Sequence, residues 1–190
     1  MIKSYFKSWL PVREMARSVP FYASLGLELA GYRADDRIDA YLPIGRYRRA
    51  GQALTEEVYA TWSRAFFWID AEHTQCIILG TPRADRPFLW QHVAFEVDLE
   101  ELRRAGAWLA ERGISELVAD FGRPATEPIV HNWIPSASFS FRDPDGNQIE
   151  LSARLPGGPI PEADLPGVEP LYLGEWERLR SRVAGEDAAI

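Results

Sequence analysis

Phe139-Ser-Phe-Arg-Asp-Pro-Asp-Gly-Asn-Gln-Ile-Glu-Leu151 is the stretch on which the fold turns. Its centre, Asp143-Pro144-Asp145-Gly146-Asn147, is a turn with a mechanism, since Pro fixes φ and Gly accepts a positive one. The flanks, Ser136 to Arg142 and Gln148 to Ala153, therefore read as the strands of a hairpin. Ahead of it, Ile114 to Ala119 is expected as a strand, followed by a Pro-rich loop through Pro135. Further back lies a helix from Leu99 to Arg112, with Leu99, Leu102, Ala105, Gly106 and Leu109 inward and Gly113 ending it. His92 to Val97 opens this half as a strand, with Val93, Phe95 and Val97 on one face and His92, Ala94 and Glu96 on the other.

The first half repeats the plan. Lys3 to Val12 is a strand pattern, with Phe6, Leu10 and Val12 opposed to Tyr5, Lys7 and Trp9. A helix from about Met15 to Leu25 carries Met15, Val19, Tyr22 and Leu25 at helical spacing, and Gly26 stops it. Leu27 to Tyr32 is the next strand. Residues 34–64 are irregular, with a short helix around Thr55 to Trp62, and strands Ala65 to Asp70 and Thr74 to Leu79 close the half. Leu10 to Phe95, Val12 to Val97 and Lys7 to His92 each differ by 85, and Asp70 to Asp143 and Gln75 to Gln148 differ by 73. Both halves thus read strand–helix–strand–strand–strand, which argues for an α+β fold with an antiparallel-rich sheet.

The 190 residues are the size of one domain built from two such halves. With 21 basic against 28 acidic residues, the net charge of −7 excludes a generic nucleic-acid binder, which needs a concentrated basic surface. No apolar run is long enough for a membrane helix, and Met1-Ile2-Lys3-Ser4-Tyr5 has no signal-peptide core, so a cytoplasmic location is expected. A lone cysteine, Cys76, allows no internal disulfide and no cysteine-rich metal site. Seven tryptophans against three histidines suit a large core, an aromatic-lined cavity, or both. No phosphate-binding glycine loop, nucleophile elbow or zinc-protease helix motif is present, so no nucleotide cofactor is expected.

Three segments together resemble the vicinal oxygen chelate superfamily, which includes glyoxalase I, extradiol dioxygenases, fosfomycin-resistance transferases and bleomycin-binding (bleomycin resistance) proteins. They are Leu10-Pro-Val-Arg-Glu-Met-Ala-Arg-Ser-Val-Pro-Phe-Tyr-Ala-Ser-Leu-Gly-Leu27, His92-Val-Ala-Phe-Glu-Val-Asp98 with its helix, and the hairpin Phe139 to Leu151. The resemblance covers residues 1–153 and implies two βαβββ modules, 1–82 and 90–153, whose curled mixed sheets form a cup with helices outside. Residues 154–190 are then a C-terminal extension. The resemblance further implies a small-molecule ligand in the cup and a homodimer.

Metal-dependent members coordinate a divalent cation from the first and last strands of each module. Carried onto this chain, the second module offers His92 and Glu150, while the first places Lys7 and Ile77 at the corresponding positions. Iron, manganese or zinc wants three or more protein ligands, and an ammonium repels a cation. The expectation is therefore a metal-free or degenerate site, with the Lys7 ammonium standing where the cation would be and paired with Glu150, or else a divalent metal held by an incomplete set, His92 and Glu150. Buried, such a pair must be well satisfied to be tolerated.

Lys7, His92 and Glu150 are the candidate catalytic residues. Trp9, Trp68, His131 and Trp133 are the candidates for substrate contact, with His131 placed in the loop before the last hairpin. His73 is expected on an exposed turn, and Glu96 shares the parity of His92 and competes for Lys7. Phe66, Phe67 and Trp108 are assigned to the core by default. Arg33, Arg37, Arg46, Arg48 and Arg49 form a basic group that either grips an acidic substrate or belongs to a solvated loop. Within the extension, Leu155 to Pro170 reads as a strap and Leu173 to Val183 as an amphipathic helix. Its face, Leu173, Trp176, Leu179 and Val183, needs cover from this subunit or another.

Three functions follow from the resemblance: a metal-dependent lyase, isomerase or dioxygenase; a metal-free enzyme in which His92 or Glu150 moves a proton and Lys7 stabilises an oxyanion; and a protein that sequesters a small aromatic or apolar compound.

Overall fold

A computed structural model describes residues 5–34, 41–82, 87–119, 122–167 and 170–187. They fall into two units, Met1–Gln91 with Asp143–Asn147, and His92–Arg142 with Gln148–Ile190. The chain is α+β, and each unit is built on a mixed sheet.

In the first unit the order is β1 (Lys7–Pro11), α1 (Met15–Ser24), β2 (Glu28–Arg33), β3 (Leu42–Pro43), α2 (Gly45–Arg49), α3 (Glu56–Ala60), β4 (Arg64–Trp68) and β5 (Cys76–Gly80). The sheet runs β1-β5-β4-β2-β3, with β1 parallel to β5 and the remaining pairs antiparallel. Helix α1 buries Met15, Ser18, Val19 and Tyr22, one face of a 3.6-residue repeat. Tyr22 lies against Phe67, which shares a sheet face with Ile77, Leu79 and Leu10. All five side chains are essentially sealed from solvent. Each contributes on the order of 1.5–3 kcal/mol by leaving water.

The turn Asp143–Asn147 belongs to this unit and is its most heavily bonded feature. The carboxylate of Asp143 accepts from the Tyr22 hydroxyl (2.8 Å), the backbone N–H groups of Asp145 and Asn147, and the Asn147 amide. Ser18 donates to Asp145, and Asn147 donates to the Pro11 carbonyl, both at 2.8 Å. Burial first, and then the charge of Asp143, pushes the Tyr22 phenol well above its ordinary range. Gly146 has the positive φ that its place in the turn demands.

In the second unit the order is β6 (His92–Glu96), α4 (Leu99–Arg103), α5 (Ala105–Glu111), β7 (Ile129–His131), β8 (Ser136–Arg142), β9 (Gln148–Arg154) and α6 (Leu173–Asp187). The sheet runs β6-β9-β8-β7, again with its first strand parallel to its last. Gly106 on α5 passes over Phe139, where a Cβ would sit 3.6 Å from the ring, so the Phe139 face is the helix side. Two expectations are corrected here. The segment Ile114 to Ala119 forms only an isolated bridge, Leu117 to Phe141, whereas the region read as a Pro-rich loop supplies β7. Ile129-Val130 is β-branched and follows Pro128, so a short edge strand fits there. The expected helix Leu99 to Arg112 is two pieces, broken at Arg104.

The extension is tied to its own unit. Tyr172 bridges Ile129, the Val130 N–H donates to the Leu171 carbonyl at 2.8 Å, and Leu173 donates to Pro128. Leu173 and Trp176 are buried, which settles the cover of this helix end within the chain. Arg123 clamps Glu175, and Arg103 pairs with Glu177. No helix among the described residues is long and apolar enough to cross a membrane.

Candidate functional site

Cross-strand partners in register share a sheet face, so the ladders assign every strand residue to one side. In the second unit the side away from the helices carries His92, Ala94 and Glu96 on β6, Gln148, Glu150 and Ser152 on β9, and Arg142, Ser140, Ser138 and Ser136 on β8. Ile129 and His131 of β7 continue it. This is a polar face on a sheet whose other side is Phe139, Phe141, Ile149 and Ala153.

Glu150 is its hub. One carboxylate oxygen lies 2.8 Å from His92 Nε2, and the other accepts the Ser152 hydroxyl at 2.5 Å. The Glu150 side chain is only 14 % exposed, while His92 is 46 % exposed, so the carboxylate is the supported member and the ring the accessible one. In the tautomer that donates from Nε2, Nδ1 holds the lone pair and acts as the base. Across the ladder from Ser152 stands Ser138, whose hydroxyl lies 2.9 Å from His131 Nε2. His131 thus closes a strand on this face and is not a loop residue. Glu96 is engaged by Arg154 at 2.7 Å. Ser138 and Ser152 were not among the candidates; the alternation Ser136-Ala-Ser-Phe-Ser140 and the i+2 spacing from Glu150 were the available signals.

In the first unit the corresponding side is mostly hydrocarbon and aromatic, with the cations Lys7 and, on β4, Arg64. It carries Lys7 and Trp9 on β1, Cys76, Ile78 and Gly80 on β5, and Phe66 and Trp68 on β4. The Trp9 indole lies over Gly80, where a Cβ would come within 2.3 Å of its ring nitrogen, so only glycine admits this pose. Trp9 remains 43 % exposed. Tyr41 meets Phe66 edge-on, and Phe66 is half-buried. Trp68 stacks on His73, whose Nε2 lies 3.0 Å from Glu28. Burial pushes the Cys76 thiol up against the pull of the Lys7 ammonium, which keeps it a poor nucleophile.

The other candidates separate clearly. Trp133 stands in the turn after β7 and is 78 % exposed. Arg33 is not on a solvated loop: it ends β2 and is buried. Arg48 and Arg49 are exposed on α2, and Arg37 lies outside the described residues.

The register also corrects the position paired with Glu150. Lys7 faces Cys76 and His92 faces Gln148, so the counterpart of Glu150 is Ile78, not Ile77. The donor set is thus His92 and Glu150 in the second unit, against an ammonium and a hydrocarbon at the matching strand positions of the first. Among the described residues no three His, Cys, Asp or Glu gather as a metal-binding group. These residues do not fit a three-ligand cation centre.

Two strand–helix–strand–strand–strand modules, each on its own mixed sheet, define a protein of the two-module α+β class. The family model of the Glyoxalase/Bleomycin resistance protein/Dioxygenase superfamily matches residues 4–151, and the chain belongs to that superfamily. Among solved structures, an integron cassette protein from the mobile metagenome of the Halifax Harbour sewage outfall is 23% identical, with TM-score 0.53, over 80% of this chain and 99% of its own. A virulence protein from Salmonella typhimurium is 19% identical, with TM-score 0.51, over 82% and 99%. A glyoxalase/bleomycin resistance protein/dioxygenase from Nocardioides is 19% identical, with TM-score 0.50, over 85% and 90%. At these identities the likeness is one of fold. No curated protein matches the sequence.

Proposed function

We propose that the chain is a metal-independent enzyme of its superfamily in which the His92–Glu150 pair moves a proton on a small molecule. The observation that carries this reading is the bonding of Glu150. Its two oxygens hold His92 and Ser152, so the carboxylate orients the imidazole and offsets the charge it gains as a base. Lys7 stands in the first module at the strand position of His92 in the second, and the oxyanion-stabilising role proposed for it comes from the family resemblance.

Solvent-deuterium exchange into a panel of small carbonyl compounds, followed by NMR, tests the reading. Exchange by the wild type is expected to fall about 10²- to 10⁴-fold in His92→Gln and in Glu150→Gln. It is expected to survive chelation and to occur in protein free of stoichiometric iron, manganese or zinc. Exchange that stops on chelation returns the chain to the metal-dependent lyases and dioxygenases. Lys7→Met with lost turnover and retained binding assigns the ammonium to the transition state.

A second reading rests on the exposed Trp9 indole and the aromatic face around it: sequestration of a planar apolar compound without turnover. Binding by a wild type that exchanges no protons in any compound favours that reading.

A further inference from the structure

Between the end of β7 and the strap lies a cleft of about 420 Å³ whose walls come largely from residues beyond the family match at 151. Ile160, Leu165 and Leu171 make it apolar, and the Trp133 indole stands at its edge with most of its surface in solvent. Three polar groups reach it. Asn132 is spent, donating to the Ile160 carbonyl and accepting from the Ile160 N–H, both at 2.8 Å, which pins the strap to the end of β7. His131 Nε2 is engaged by Ser138. Glu162 enters no ion pair with a described residue.

An apolar slot with an exposed indole and an unspent carboxylate is complementary to one kind of small molecule. We propose that this cleft binds an amine carried on a planar apolar body, the ammonium paired with Glu162 and the ring against Trp133. The volume suits such a molecule, since ligand pockets run from about 300 Å³ upward. The carboxylate selects the cation by charge, and the indole stacks on the ligand's ring. Asn132 holds the wall in place before the ligand arrives, which lowers the ordering cost of binding. The proposal does not depend on the proton-transfer reading.

Tryptamine and indole-3-propionate share a ring and differ in charge, so calorimetric titration of the full chain with each at pH 7 and low salt tests the assignment. Tryptamine is expected to bind, with indole-3-propionate at least about tenfold weaker. Glu162→Gln and Trp133→Ala are each expected to weaken tryptamine roughly two- to fivefold. Both residues are exposed, so neither variant disturbs the fold. Leu165→Trp, which fills the cleft, is expected to remove binding, and Glu111→Gln, an exposed carboxylate on α5 that does not line the cleft, to leave it unchanged. Equal binding of the two compounds, no binding of tryptamine, or binding indifferent to Glu162→Gln and Leu165→Trp overturns the proposal.

Discussion

The two sheets of this chain are matched on one side and opposed on the other. Toward the helices, Phe67 and Ile77 of the first occupy the ladder positions of Phe141 and Ile149 in the second, all four fully buried. On the opposite side Phe66, Ile78 and Cys76 answer to Ser140, Glu150 and Gln148. The helix side must fill a core, so shape and apolarity dictate it. The other side is partly buried too, at Cys76 and Ile78 in one sheet and Ser138 and Ser140 in the other, and there one module presents rings and the cations Lys7 and Arg64 while its twin presents an acid, a base and hydroxyls. The fold is thus duplicated, while the bonded acid–base pair His92–Glu150 stands on one copy.

Truncating the matched side gives the largest effects. Phe67→Ala and Phe141→Ala are each expected to cost about 3–5 kcal/mol, because both rings are sealed and leave cavities behind. Urea unfolding of the two variants checks this, and a difference of several kcal/mol between them breaks the match.

Exchanging the opposed side separates stability from function. Ile78→Glu puts a carboxylate at a residue only 6 % exposed, with the cations Lys7 and Arg64 at diagonal ladder positions, at an expected cost of about 2 kcal/mol or more. Glu150→Ile removes the hub from a partly solvated face, at an expected cost of about 1 kcal/mol, yet it ends the proton transfer proposed for the pair. Equal costs for the two exchanges, again from urea unfolding, abolish the contrast between the faces.

Much of this was legible in the sequence, and the failures have identifiable causes. The repeat, the Asp-Pro-Asp-Gly turn and the parity of His92 and Glu150 follow from periodicity and turn chemistry alone. The counterpart of Glu150 in the first module lies one residue from where the offset of 73 puts it, because that offset is read from residues at the turns. Between Trp68 and Cys76 the chain spends residues 69–75, but between Arg142 and Gln148 only residues 143–147. The offset is therefore 74 before the turn and 72 after it, and a single number cannot describe both strands. The bond from His92 to Glu150 joins neighbours on parallel strands far apart in sequence, where a list of residues gives parity but not contact. Strand β7 is hidden because its three residues sit between Pro124 and Pro128 on one side and Pro135 on the other, whose signal is a loop.

A smaller change sharpens the aromatic side. Gly80→Ala puts a methyl group where the Trp9 indole lies, so the ring must leave the sheet. The expected cost is about 1 kcal/mol, with a shift in tryptophan emission that disappears in a Trp9→Phe background. An unchanged spectrum places the indole elsewhere.

The smallest effects distinguish the two units by pH. In the first, the Tyr22 phenol is held above its ordinary value near 10 by burial and by Asp143. The unfolded phenol ionises as pH rises through 10 while the folded one stays neutral, so the contribution is complete below 10 and is lost above it. Tyr22→Phe should remove this alkaline loss and cost about 1 kcal/mol at neutral pH, through the hydrogen bond to Asp143. In the second unit the sign is reversed. Hydrogen bonding to Arg123 holds the Glu175 carboxylate below its ordinary value of 4.5, so its contribution is present above 4.5 and fades as pH falls through the lowered value. Glu175 is partly solvent-screened, so the effect is slight, and Glu175→Gln should flatten only the acid limb of the curve of urea midpoint against pH. Tyr22→Phe should flatten only the alkaline limb. A variant that moves the other's limb would show that the acid and alkaline losses share one cause, contrary to the separate origins assigned to them.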